Sequence, residues 1–199
     1  MKEVRILVAG FGGQGVLLLG RLIAYGGMME GKEVTCFPSY GAEMRGGTAN
    51  STVIVSDEMI GSPIVGSPDI FIAMNEASLK RFQAKVRTNG LLIFDSSLIK
   101  SPEMRSDISS VDIPATVIAS SIGGEEPSHK AALSATQVRS VNMVMLGALL
   151  AETGILKMES VMNALERLTS AKNKKTLDGN KEAIRRGIQY IEDKKSKDR

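Results

Sequence analysis

The chain opens on Val4-Arg5-Ile6-Leu7-Val8-Ala9, an apolar run broken by one charge. That is the pattern of a strand buried on both faces of a parallel sheet. Glycines follow at 10, 12, 13 and 15. Polar and apolar positions then fall at helical spacing from about Gly15 to Glu30, with Leu18, Leu22 and Tyr25 on one face. Gly31 supplies the stop, and Glu33 to Phe37 reads as a second strand. Together these make a strand, glycine loop, helix, strand unit, right-handed by the general rule for such crossovers.

Beyond Ala49 the pattern predicts a strand over Asn50 to Val55 and a turn at Ser56-Asp57-Glu58, with Met59 to Val65 pairing back as a hairpin. Asp69 to Met74 is a second buried strand, followed by a helix over Glu76 to Val86, a turn at Asn89-Gly90 and a strand over Leu91 to Phe94. Pro114 to Ile122 reads as a short helix, and Gly123 to Gln137 is polar and irregular. Val138 to Glu152 is a helix apolar on nearly every side, hence buried. Met158, Val161, Met162, Leu165 and Leu168 keep helical spacing, as do Ile184, Ile188 and Ile191. The predicted class is α/β. It is a Rossmann-like open, mostly parallel sheet flanked by helices, with a glycine-rich loop, a hairpin excursion and a helical C-terminal tail. One domain spans 1–199, with 171–199 as its basic tail.

Composition narrows the function. At 199 residues, 43% apolar and 24% charged, the chain can bury one core. Its longest dense apolar stretch, Met143 to Ala151, is far short of the ~20 residues of a membrane span, and the N-terminus carries no secretory pattern, so a cytoplasmic location is expected. A single cysteine, Cys36, excludes an internal disulfide framework and a self-contained iron–sulfur cluster. Cys36 is expected to be a small buried apolar residue. A single histidine, His129, argues against a histidine metal site and is expected to be solvated. The net charge of +3 is local: residues 171–199 carry ten basic and five acidic side chains, the pattern of a solvated helix face. Aromatics make up 4%, too few for stacking platforms, so no nucleic-acid partner is expected.

Candidate chemistry lies in two glycine-rich stretches. Gly10-Phe11-Gly12-Gly13-Gln14-Gly15 fits a phosphate loop, in which glycines admit close backbone approach and the following helix start favours an anion. A dinucleotide site would also place an acidic residue at the end of the second strand, where this chain has Cys36, Phe37 and Pro38. A nucleoside-triphosphate loop would continue with Lys-Ser/Thr, where this chain has Val16-Leu17. The loop is therefore either a cradle for another phosphate or a device for tight strand–helix packing. The second stretch runs from Pro38 to Asn50. It offers Arg45 as an anion fork, Gly46-Gly47 as N–H donors and the hydroxyls of Ser39, Tyr40 and Thr48. The alternative is a surface pair between Arg45 and Glu43.

Val8 to Val16 with Pro38 to Asn50 resembles the gamma subunit of 2-oxoacid:ferredoxin oxidoreductases, and Ile60-Gly61-Ser62-Pro63, Asn142 to Ala148 and the tail from Asn180 to Ile191 fit the same family. The resemblance spans about residues 1–191, and its Glu43-to-Asn50 wording is closest to the 2-oxoglutarate type. It implies a subunit without catalytic residues in an assembly that oxidatively decarboxylates a 2-oxoacid to an acyl-CoA and reduces ferredoxin. It places Gly12, Gly13, Gln14, Gly15, Ser39, Tyr40, Glu43, Arg45, Gly46 and Asn142 where coenzyme A is held at this chain's edge. Thiamine diphosphate and iron–sulfur clusters are expected on partner subunits, alpha and beta with delta as a further candidate. A homodimer is expected when the chain is isolated. Gly123 to Gln137 departs from the family as an insertion. The competing class is a stand-alone Rossmann-like module that binds a nucleotide or acyl-CoA without catalysis.

Overall fold

The computed structural model describes residues 3–39, 48–122, 140–169 and 174–197. In it, strands β1 (Val4–Phe11), β2 (Glu33–Ser39), β3 (Thr48–Ser56), β4 (Ile70–Ala73), β5 (Leu91–Asp95) and β6 (Ser109–Ile113) form one sheet in the order β2-β3-β1-β4-β5-β6. Strands β1, β4, β5 and β6 pair in parallel, whereas β3 is antiparallel to both β1 and β2. Five of the six strands thus point the same way, as the sequence predicts.

Two expectations change. Met59 to Val65 forms no strand. Both sides of β3 are already occupied, by β1 from Val4↔Val55 to Phe11↔Thr48 and by β2 from Glu33↔Ser56 to Ser39↔Asn50. The hairpin excursion is therefore β2–β3, and it inserts β3 between the two strands of the predicted β–α–β unit. Strand β6 carries no apolar signal in the sequence, because Ser109-Ser110-Val111-Asp112-Ile113 is a polar edge strand with only Ile113 fully buried.

Side-chain alternation sorts the sheet into two faces. Ile6, Val8, Val53, Val55, Ile72 and Ile93 join the larger core, and Leu7, Ala9, Phe71, Ala73, Leu92 and Phe94 join the smaller one. On the smaller side lies α2 (Glu76–Phe82), continued by a 3₁₀ turn at Gln83–Lys85, where the sequence predicts one helix to Val86. On the larger side lie α1 (Val16–Met29), α3 (Ala115–Ser120), α4 (Val141–Thr153), α5 (Met158–Leu168) and α6 (Lys174–Lys197).

The core face of α1 differs from the expected one. Leu22 is buried, but Leu18 is only partly so and Tyr25 is exposed; Val16, Leu19 and Ile23 face the core with Gly20, Gly26 and Gly27. Glycine contributes no apolar side chain to the periodic signal, yet these three let α1 sit close: a Cβ on Gly20 would lie 2.3 Å from Ser51 Oγ, and one on Gly27 2.8 Å from Val34. The expected stop is seen at Gly31, which has φ +71°.

Helix α4 is buried from Val141 through Leu150 and packs between β5 and α6. The α4–α6 crossing is glycine on glycine. A Cβ on Gly147 would come within 2.2 Å of the Ile184 carbonyl oxygen, and one on Gly187 within 2.2 Å of the Val144 carbonyl oxygen. The basic tail is thus a packed helix whose inner face is Asn180, Ala183, Ile184, Gly187 and Ile191. Its outer cations pair across the fold, Lys181 with Glu166, Lys194 with Asp112, and Lys195 with Glu152 at 2.9 Å.

Candidate functional site

Parallel strands β1 and β4 are neighbours, but the chain leaves their carboxyl ends towards opposite faces, into α1 and α2. Such a reversal opens a crevice at the carboxyl edge of an α/β sheet, where ligands bind. The glycine loop lies at this point. Strand β1 ends at Phe11, and a turn closes with the Gln14 N–H donating to the Phe11 carbonyl at 3.2 Å. Gly12 and Gly13 form its exposed apex, Gly13 with φ +99°, and Gly15 at φ +75° begins α1.

A second helix begins at the same place. Ser140, in a left-handed conformation at φ +68°, leads into α4, and Asn142 Nδ2 donates to the Gly15 carbonyl at 3.1 Å. A Cβ on Gly15 would fall 2.3 Å from that amide nitrogen. Gly15 is therefore a contact between α1 and α4, where the sequence suggested packing of the helix on the sheet. Neither helix has a side-chain cap or an acidic residue in its first turn among the described residues. Two positive helix ends converge here with exposed glycine backbone and no acidic side chain in either first turn, an arrangement suited to phosphate oxygens.

Gln14 and Asn142 belong to this site by position, but their amides turn inward. Gln14 is 5% exposed, its Oε1 accepts from the Phe11 N–H at 2.6 Å and its Nε2 donates to the Met74 carbonyl at 3.1 Å. Asn142 is equally buried and holds Gly15. Of the second stretch, Ser39 is exposed at the end of β2, separated from β1 by β3. Thr48 pairs directly opposite Phe11 in the sheet register, so β3 begins beside the glycine loop. Tyr40, Glu43, Arg45 and Gly46 lie outside the described residues, as do His129 and the 123–137 stretch. Cys36 is half-buried, with Sγ 3.7 Å from Ser51 Oγ.

Two polar residues at this edge carry no motif. Asn75 follows β4 and caps α2, its Oδ1 accepting from the Ser78 N–H at 2.8 Å. The Asn75-Glu76 step after an apolar strand was the available sign of a helix cap. Asp95 ends β5, wholly buried; it accepts from the Ser97 N–H at 2.9 Å, the Thr116 N–H at 3.3 Å and the Thr116 hydroxyl at 2.5 Å, tying β5 to α3. Shifted titration occurs at the opposite, amino edge. There the hydrogen bond from Arg105 holds Asp107 below the usual aspartate range, aided by the Thr88 hydroxyl, and the same Asp107 pairing raises Arg105. Among the described residues no group of three or more metal-ligating side chains occurs, and no helix is long and apolar enough to cross a membrane.

Comparison with known proteins gives this geometry a family. The pattern of the pyruvate ferredoxin/flavodoxin oxidoreductase family matches residues 5–190. The ketoisovalerate oxidoreductase subunit VorA of Methanothermobacter marburgensis is 34% identical over 191 residues, 95% of this chain but only 37% of VorA. This chain therefore spans little more than a third of that relative. The 2-oxoglutarate synthase subunit KorC of the same organism is 32% identical over 192 residues, 94% of this chain and 98% of KorC. Among solved structures, the gamma subunit of a keto/oxoacid ferredoxin oxidoreductase from Geobacter sulfurreducens superposes with a TM-score of 0.75 at 25% identity, covering 94% of this chain and 98% of that one. The 2-oxoglutarate:ferredoxin oxidoreductase of Magnetococcus marinus, solved with 2-oxoglutarate, coenzyme A and succinyl-CoA bound, gives a TM-score of 0.82 at 26% identity over 96% of this chain and 31% of that one. The chain belongs to the pyruvate ferredoxin/flavodoxin oxidoreductase family.

Proposed function

We propose that this chain is the gamma-type subunit of a cytoplasmic, thiamine diphosphate-dependent 2-oxoacid:ferredoxin oxidoreductase of the 2-oxoglutarate type, and that it presents coenzyme A to the assembly without reacting itself. The observation that carries the assignment is the match to KorC over nearly the whole of both chains. The site supports the coenzyme A role. Its exposed glycines and two uncapped helix starts fit a pyrophosphate. The acidic residue that would hold a nicotinamide dinucleotide's ribose is missing from β2, whose carboxyl half reads Phe37-Pro38-Ser39.

In this reading Gly12 and Gly13 face the phosphates, Asn142 sets the junction of α1 with α4, and Arg45 serves as an anion clamp or as an anchor to a neighbouring subunit. Thiamine diphosphate and the clusters belong to partner subunits, alpha and beta with delta as a further candidate, and electrons leave to ferredoxin. Bound coenzyme A would supply the thiol that accepts the acyl group; this chain's part is to fix its phosphate end.

The test is reconstitution. The isolated chain should give no 2-oxoacid-dependent reduction of a viologen dye, and adding it to the partner subunits should restore coenzyme A-dependent turnover. Robust activity from the chain alone, or full activity of the partners without it, would overturn the assignment.

A further inference from the structure

Gln14 grips the glycine loop from two sides. Its backbone N–H donates to the Phe11 carbonyl, and its side-chain Oε1 accepts from the Phe11 N–H. The ends of the turn are pinned together, and Gly12 and Gly13 are pushed outward between them. The side chain has room to fold back because residue 10 is glycine: a Cβ there would lie 2.7 Å from Gln14 Oε1.

The amide does not hold this position by itself. Asn75, 2% exposed and 61 residues away in sequence, donates from Nδ2 to Gln14 Oε1 at 3.1 Å. Three backbone groups dictate the polarity of the whole chain of bonds. The Ser78 N–H can only donate, so it takes Asn75 Oδ1 and leaves Nδ2 facing Gln14. The Phe11 N–H can only donate, so it takes Gln14 Oε1. The Met74 carbonyl can only accept, so it takes Gln14 Nε2. Flipping either amide would set donor against donor and acceptor against acceptor in a buried place, which is costly.

We propose that Gln14 and Asn75 are positioning residues that hold the Gly12–Gly13 backbone in its anion-accepting shape without touching the ligand. Asn75 acts through Gln14, so the start of α2 sets the loop that opens α1. The inference rests on the coenzyme A reading above.

Two substitutions separate this role from helix capping. Asn75→Ser and Asn75→Asp both keep an oxygen able to accept from the Ser78 N–H. The first deletes the Nδ2 donor without adding charge. The second turns an oxygen towards Gln14 Oε1. Gln14→Glu is the matching change from the other side, setting an oxygen against the Met74 carbonyl. In the reconstituted complex, Asn75→Ser should raise the KM for coenzyme A about tenfold, the scale of one buried hydrogen bond. Its kcat at saturating coenzyme A and its KM for the 2-oxoacid should stay within twofold, and Gln14→Glu should show the same split. Gly12→Ala is the control. If it leaves the coenzyme A KM unchanged, the coenzyme A reading fails and this proposal with it. If it raises KM while Asn75→Ser does not, the relay alone is wrong. A Tm loss in Asn75→Ser with an unaltered KM, or loss of fold in both Asn75 variants, would assign the pair to stability only.

Discussion

Gly12 and Gly13 are adjacent and both exposed, but their backbones differ. Gly13 has φ +99°, where an L-residue is strained, and Gly12 lies outside that region. Gly13→Ala should therefore destabilise the isolated chain by ~1–3 kcal/mol, and any loss of coenzyme A affinity would be mixed with unfolding. Gly12→Ala should melt within about 2 °C of the wild type, since each kcal/mol moves Tm by roughly 2–4 °C at this size. A thermal melt of both variants checks the pair, and equal Tm losses would contradict the difference in backbone. At the amino edge, Asp107 titrates low because Arg105 donates to it, and Arg105 also binds the carbonyls of Gln83, Ala84 and Val86. A depressed carboxylate contributes stability that is present above its unfolded value, ordinarily 3.8, and lost as pH falls through the folded one. Asp107→Asn should lower Tm at pH 7 and flatten the fall in Tm below about pH 4; an unchanged acid slope would refute it. The sequence made the glycine loop legible but not the direction of the Gln14 amide. Spacing within one motif carries no information about Asn75, which reaches it only through the pairing of β1 with β4.

Helices with uniform apolar content were read correctly, and α4 was expected to be buried because almost any face of it is apolar. Helices that pack through glycine were not. The core face of α1 was misplaced because Gly20, Gly26 and Gly27 count as neutral in a periodic pattern while making its closest contacts. The charged outer face of α6 and the spacing of Ile184, Ile188 and Ile191 are legible, but the closeness of its crossing with α4 is not, since Gly187 at its centre adds no apolar side chain. Residues on α4 and α6 test this. Gly147→Ala drives a methyl group into the Ile184 carbonyl and should cost about 3 kcal/mol, or ~6–12 °C in Tm. Gly179→Ala on α6 meets nothing within 4 Å and should instead stabilise by ~0.5–1 kcal/mol through helix propensity. A calorimetric melt of the two variants should move in opposite directions; a neutral Gly147→Ala would show that the crossing yields easily.

At the scale of the molecule, the class and direction of the sheet were readable because each buried strand announces itself by its apolar run. The strand order was not, because it depends on pairings across tens of residues, such as Val4 with Val55 and Ile6 with Ile70. Several large apolar side chains remain on the outside: Phe37 on the edge strand β2 at 55% exposure, and Met59 and Ile64 at 89% and 77% in the loop before β4. A chain that works inside an assembly would cover such residues, and alone it should use them on itself. Light scattering of the isolated chain should report a dimer or larger species, and Met59→Ser with Ile64→Ser should shift it towards monomer. A clean monomer from the unaltered chain would count against that use of the surface.

The placement of β3 also bears on how the protein is born. Strand β1 is synthesised before both of its neighbours in the sheet, β3, complete only at Ser56, and β4, complete only at Ala73. At ~5–20 residues per second of synthesis, the apolar run of β1 stays without a partner strand for several seconds. Its natural early companion, the helix that follows it, covers one face and leaves the other bare. A nascent chain halted before residue 56 should therefore be the species that chaperones hold and that aggregates when they are depleted.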